Sequence, residues 1–275
     1  MSDPTNLFPC PTVDTATVEA TGEERREAAR IRDVSVVIPG DRPITAYIVE
    51  PLEAPTGQAA RPGLLFAHWF DTEAPNGDRT EFLDEAELLA ARGVTSLLPQ
   101  LTFPWTADPT GSRHDRARVV AEVGRLRVCI NVLRSLPGVD GARIGVIGHD
   151  FGAMHAVLAA AAEGDVRALV FVAGTPRWAD WFLPFWPIDE DRLDYQRVMR
   201  DVDPIEHLPD LEDTKVLLQF ARSDFFIAAM TGLELRRAAG EAAELKAYDS
   251  EHDMATDDVR ADRLRFLEEV LRYPR

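Results

Sequence analysis

The stretch GVIGHDFGAM, Gly145 to Met154, decides how this chain is read. A short apolar run ends at Gly148. His149, Asp150, Phe151 and Gly152 follow, and then small residues open a helical pattern, AMHAVLAAAAEG. That order predicts a strand, a very tight turn and a helix. Strand and helix packed this closely leave no room for side chains at Gly148 and Gly152. The tip residue, Asp150, would sit in a strained backbone conformation that pushes its side chain outward. The helix beginning beyond Phe151 would aim N–H groups and the positive end of its dipole at the tip, which favours an anion there.

Outward from the corner, the same texture repeats. GLLFAHW, VTSLLPQ, RIGVIG, VRALVFVAG, TKVLLQFA and ELKAYDS read as strands, several of them apolar enough to be buried on both faces. TEFLDEAELLAARG, HDRARVVAEVGRLRVCINVLRSL, IAAMTGLELRRAAG and DDVRADRLRFLEEVLR carry a helical period between and after them. Such alternation implies an α/β fold, with a mostly parallel central sheet and helices on both faces. Residues 1 to about 30 are polar, and GEERREAARIR is expected to form a surface helix. VSVVIP and ITAYIVEP, with IPGDRP between them, predict an antiparallel hairpin.

One segment, 174–213, breaks the alternation. It is rich in Trp, Phe and Pro, and one or two short helices such as DEDRLDYQRVM are expected in it. Either it forms a lid-like excursion or it is a crossover whose aromatics pack inward. The whole chain, 1–275, reads as one domain containing that excursion.

The totals narrow the function. With 47 acidic against 30 basic residues, the net charge is −17, which repels phosphate backbones and argues against nucleic acid as a partner. Cys10 and Cys129 lie in no metal or redox spacing, as expected of reduced thiols in the cytoplasm. MSDPTNLFPC lacks the pattern of a secretory signal, and AMHAVLAAAA is too short to span a bilayer. No His–carboxylate spacing suggests a metal, no phosphate-binding glycine loop is present, and no cofactor is expected.

Ligands bind such sheets at the carboxyl ends of the strands. After GLLFA come His68, Trp69, Phe70 and Asp71; after RIGVIG come His149, Asp150 and Phe151. Asp224 follows KVLLQFA, and His252 follows ELKAYDS. A candidate nucleophile, an acid and a histidine therefore appear in that order.

In this respect the chain resembles the α/β-hydrolase-fold superfamily, over nearly its whole length from Val34 onward. The resemblance makes Gly148-His149-Asp150-Phe151-Gly152 the nucleophile elbow, Asp224 the acid and His252 the base. Phe151 N–H and an amide near Trp69 would form the oxyanion hole. Asp at the elbow is the pattern of epoxide hydrolases and dehalogenases, and GHDFGA is similar to their GHDWGA. The compact remainder looks more like the dienelactone-hydrolase branch, which carries Cys or Ser there. His68, Phe70, Trp105, Trp178, Trp181 and Tyr195 are expected around a small, apolar substrate.

A carboxylate attacking an ester would give an anhydride, a poor route, whereas attack on a saturated carbon gives a stable alkyl ester. The resemblance thus implies a hydrolase that opens an epoxide or cleaves a carbon–halogen bond through Asp150. An esterase or lactonase, or a catalytically silent small-ligand binder, are the alternatives. Asp224 could equally be a helix cap, Asp150 a structural acid and His252 an ordinary loop histidine. His68 and His149 are read as structural.

Overall fold

The computed structural model describes residues 4–10, 16–52, 60–228 and 230–273. After a short helix α1 (Pro4–Leu7), strands β1 (Thr17–Arg25), β2 (Ala29–Val37), β3 (Ile44–Pro51) and β4 (Arg61–Ala67) follow. Helices and strands then alternate: α2 (Leu83–Ala90), β5 (Thr95–Pro99), α3 (Ser112–Ser135), β6 (Val139–His149), α4 (Phe151–Glu163) and β7 (Ala168–Val172). The 174–213 segment carries α5 (Trp178–Phe185), α6 (Arg192–Met199) and α7 (Pro204–His207). The chain continues through β8 (Lys215–Ala221), α8 (Thr231–Ala239), β9 (Glu244–Tyr248) and α9 (Asp257–Leu271).

The strands form one sheet in the order β1-β2-β3-β5-β4-β6-β7-β8-β9. The first three strands run antiparallel to their neighbours, and the six from β5 to β9 are mutually parallel. The expected hairpin is β2–β3. The expected surface helix over GEERREAARIR is instead the end of β1, a turn, and the start of β2. Cross-strand pairing decides this: Glu23 lies opposite Arg32 and Arg25 opposite Arg30. β1 is an edge strand whose side chains are nearly all exposed, so its charges cost nothing and discourage edge-to-edge association.

Helices cover both faces. Consecutive strand residues point to opposite sides. Leu133 of α3, with Ile144, lies over Gly63, whereas Leu271 of α9 lies over Gly145. On the α9 side, the buried Arg263 guanidinium bonds Glu85 of α2 and, at 3.2 Å, Gln219 of β8. On the α3 side, α4 is buried along Phe151–Ala162, and its run of alanines suits close packing against the sheet. Among the described residues, no helix is long and apolar enough to cross a membrane.

Candidate active site

Strand register brings the marked loops together. Ala67 of β4 pairs with Gly148 of β6, and His149 with Val172 of β7. Val172 pairs with Gln219 of β8, and Ala221 with Tyr248 of β9. The residues following these positions therefore emerge at one edge of the sheet.

Asp150 is the corner between β6 and α4, at φ 54° and ψ −121°. A non-glycine residue in that region is strained. The corner is held by the bond from Asp150 N–H to Val172 O, 2.8 Å. The two elbow glycines are obligatory on steric grounds. A Cβ on Gly148 would lie 2.5 Å from Ala153 Cα, and one on Gly152 would overlap the Ala67 carbonyl.

The Asp150 side chain is 1% exposed. Its oxygens have different surroundings: Oδ2 accepts a hydrogen bond from Phe70 N–H at 3.2 Å, whereas buried Oδ1 has no protein partner. Burial pushes the carboxyl up to about 7. The charge of His252 and the amides of Phe70 and Phe151 pull the other way, while the charge of Glu81 adds to the rise.

His252 Nδ1 lies 2.8 Å from Asp224 Oδ2. The other Asp224 oxygen accepts from Phe226 N–H at 2.8 Å and Ile227 N–H at 3.0 Å. Burial alone would raise the Asp224 carboxyl, but His252 and these two amides outweigh it and hold it below its ordinary value. An ionised Asp224 makes Nδ1 the donor and leaves Nε2 as the basic nitrogen of the ring. Asp224 does not cap α8, which starts only at Thr231 behind Met230; it closes the 224–227 turn instead.

The floor is polar and closely bonded. Leu101 N–H donates to His68 Nε2 at 3.0 Å, so His68 carries its proton on Nδ1 and donates it to Trp69 O at 2.9 Å. Burial pushes His68 down to about 4 and keeps it neutral. His149 Nε2 must donate to His252 O, 2.9 Å away, because a carbonyl only accepts. Its Nδ1 lies 2.7 Å from Glu81 Oε1, and Glu81 Oε2 accepts from Trp69 N–H at 2.7 Å. The expectation of an oxyanion amide near Trp69 needs a correction. Glu81 has taken the Trp69 N–H, and the next amide, Phe70, is the one at Asp150.

Aromatic rings pack around the elbow, and Trp178, expected at the pocket, is fully buried among them. Around the Phe151 ring stand Trp181 at 5.1 Å, Phe182 at 5.4 Å, Phe70 at 5.9 Å, Trp186 at 6.1 Å, and Trp105 and Trp178 at 6.2 Å. Phe226 and Trp181 lie 5.0 and 5.6 Å from the His252 ring. Three indole N–H groups are committed to carbonyls: Trp69 to Asn76, Trp105 to Trp69, and Trp178 to Val202. Trp181 Nε1 is buried without a partner.

Tyr195, expected at the pocket, is fully buried on α6 and donates its hydroxyl to Asp115 Oδ2 at 2.6 Å. Two polar ends on neighbouring helices, α6 and α3, satisfy each other there. Sequence reasoning missed Glu81, Phe226 and Trp186. Trp186 closes the same WADWFLPFW run, and Phe226 sits in the DFF that begins with the acid, so both had a signal. Glu81 had none; it lies at the start of the TEFLDEAELLAARG run read as a helix, whereas α2 begins only at Leu83. A cavity of about 170 Å³ lies behind the His252 loop, lined by Glu81, His149, Asp253, Met254 and Arg263 among others. Among the described residues, no group of three or more His, Cys, Asp or Glu side chains could hold a metal ion.

No family model matches this sequence, and no curated protein matches it by sequence. Solved structures do match in shape. An acetyl xylan esterase from Paenibacillus sp. superposes with a TM-score of 0.70 at 17% identity, over 97% of this chain and 91% of that one. Acetyl xylan esterase 1 from Thermoanaerobacterium sp. gives 0.69 at 14% identity, over 96% and 95%. A dienelactone-hydrolase-like protein from Klebsiella pneumoniae gives 0.60 at 17%, over 93% and 99%. With the sheet order and elbow described above, the chain has the α/β-hydrolase fold.

Proposed function

We propose that this protein is a hydrolase acting on a small, largely apolar molecule, with Asp150 as nucleophile and His252, oriented by Asp224, as the base that activates water. The observation that carries this reading is the unlike pair of oxygens on Asp150. Oδ1 is buried and unpartnered, whereas Oδ2 already rests on the Phe70 amide. An ester substrate would need that amide for its own carbonyl oxygen. A covalent Asp150 ester needs it for Oδ2.

The reaction begins when Oδ1 attacks a saturated, electrophilic carbon; the bond from that carbon to an epoxide oxygen or halide breaks, and the leaving group takes the electron pair. An alkyl ester on Asp150 results. His252 Nε2 then takes a proton from water, and the hydroxide adds to the Asp150 carboxyl carbon. Negative charge builds on Oδ2, against the amides of Phe70 and Phe151. Collapse breaks the bond from the carboxyl carbon to Oδ1 and expels the alcohol, which takes the proton back from His252. The remaining carboxyl proton passes to the alkoxide of an opened epoxide, or to bulk water when halide has left, and the carboxylate is restored. Trp181 offers the unsatisfied N–H for the leaving group. Aromatic walls exclude water and strengthen these electrostatic effects.

Ester or lactone hydrolysis is the second reading, and the comparisons support it better than the first. It is favoured by the full-length similarity to structures described as acetyl xylan esterases and a cold-adapted esterase. In that case Asp150, raised to about 7, would act as a general base on water.

A single turnover in heavy-oxygen water separates the two, with small epoxides, haloacetates and 4-nitrophenyl acetate as test substrates. The peptide containing Asp150 is expected to gain one heavy oxygen. Label found only in the product would overturn the covalent route.

A further inference from the structure

Glu81 belongs to no helix or strand, yet both of its carboxylate oxygens are used inside the site. Oε2 holds Trp69 N–H, the amide next to the Phe70 donor. Oε1 holds the ring of His149, the residue next to Asp150. That ring then holds the backbone of His252 itself. We propose that Glu81 and His149 are positioning residues, which set the Phe70 amide and the His252 loop against Asp150 through one chain of hydrogen bonds. This inference rests on the reading of Asp150, His252 and Asp224 as the reacting set.

Three further observations support it. The His149 ring stacks on the Trp69 ring at 5.2 Å with 4° between planes, so the chain of bonds has a fixed orientation. Met254, two residues past His252, stands at φ 50°, a region disfavoured for side-chain-bearing residues, so the loop's shape is imposed from outside. The open pocket of about 170 Å³ borders Glu81, His149 and Met254, so on that side the chain of bonds faces space and not packed side chains.

Proton counting defines the conservative variant. His149 spends its Nε2 proton on the His252 carbonyl, so one proton must lie between Nδ1 and Glu81. In Glu81→Gln, the amide NH2 donates to Nδ1 and the amide oxygen accepts from Trp69. Both bonds survive without a carboxylate. Glu81→Ala keeps neither. His149→Phe keeps the stacking on Trp69 and deletes both ring bonds.

The test is proton NMR of the full chain with labelled histidine, following the His252 Nδ1–H bonded to Asp224, alongside alkylation of Asp150 by styrene oxide followed by protein mass. Circular dichroism and melting confirm the fold of each variant. Glu81→Ala and His149→Phe are expected to shift or broaden the His252 resonance and to slow alkylation roughly 10- to 100-fold, the cost of small misplacement at a reacting centre. Glu81→Gln is expected to restore both to within about twofold of wild type. A wild-type His252 resonance in Glu81→Ala or His149→Phe overturns the proposal, as does Glu81→Gln behaving like Glu81→Ala. Should Glu81→Ala not fold, His149→Phe decides. The resonance needs no substrate, so styrene oxide failing on the wild type counts against the covalent-aspartate reading and leaves this one to the NMR result.

Discussion

The floor and the walls of the site are built on opposite principles. Beneath Asp150, His68, His149, Glu81 and Trp69 have their positions fixed by short directional bonds. Around Phe151, the rings from 70, 105, 178, 181, 182 and 186 meet at 5.1 to 6.2 Å by shape alone. The two act on Asp150 in opposite senses. Apolar enclosure raises its carboxyl, while the amides and the His252 charge lower it. The difference teaches that bonded positions fix where the Asp150 and His252 side chains sit, and packed positions, by excluding water, set how strongly neighbouring charges act on them.

The comparison breaks most sharply at Asp150. On the proposed mechanism, Asp150→Asn removes the attacking group and is expected to cut turnover by about 10⁴-fold or more, read by product formation and loss of the heavy-oxygen label. The same variant reports on the walls through stability. A carboxyl at about 7 when folded, against an ordinary 3.8, binds more protons folded than unfolded between those values. Its contribution is therefore fully present below about pH 4 and is lost as pH rises through about 7. Asp150→Asn should be the more stable protein above pH 7, by up to roughly 4 kcal/mol, with the gain vanishing near pH 4. Melting curves at both pH values check it; an equal gain at both would deny that the walls hold the proton on. In the wild type, the alkylation rate should climb with pH through about 7.

Trp181→Phe tests whether a packed position can also carry a directional role. The N–H is lost together with one fused ring of a buried side chain, so a loss of stability of about 1–3 kcal/mol accompanies it. A roughly 10- to 100-fold fall in kcat beside that lower melting point is expected, against kcat within about twofold at the same lowered melting point if Trp181 only packs. The smallest effect belongs to Tyr195→Phe. It leaves Asp115 short of one buried bond, so a loss of about 1–3 kcal/mol in urea unfolding is expected, with kcat within about twofold. A large loss of kcat would return Tyr195 to the site.

The corner was legible because steric demand shows directly in residue type. Gly148 and Gly152 flank Asp150 where nothing larger fits, and the strand runs that end shortly before Asp224 and His252 place both at the sheet's edge. GEERREAARIR misled because strand pairing at an exposed edge tolerates a helix-like composition. Tyr195 misled because its partner, Asp115, lies 80 positions away in sequence. Glu81 stayed hidden for the same reason: its meaning comes from His149, 68 positions on. Side-chain bonds of that range leave no trace in local pattern.

The torsion angles at the elbow have a consequence for how such a protein can change its trade. At φ 54° any residue with a Cβ is strained, β-branched ones most, so the bend admits short unbranched side chains such as those of Asp and Ser. Asp150→Ser would offer a hydroxyl beside the same imidazole and leave the Phe70 amide to a visiting carbonyl. On the proposed mechanism, that one substitution would exchange attack on saturated carbon for acyl transfer while the surrounding scaffold stays as it is.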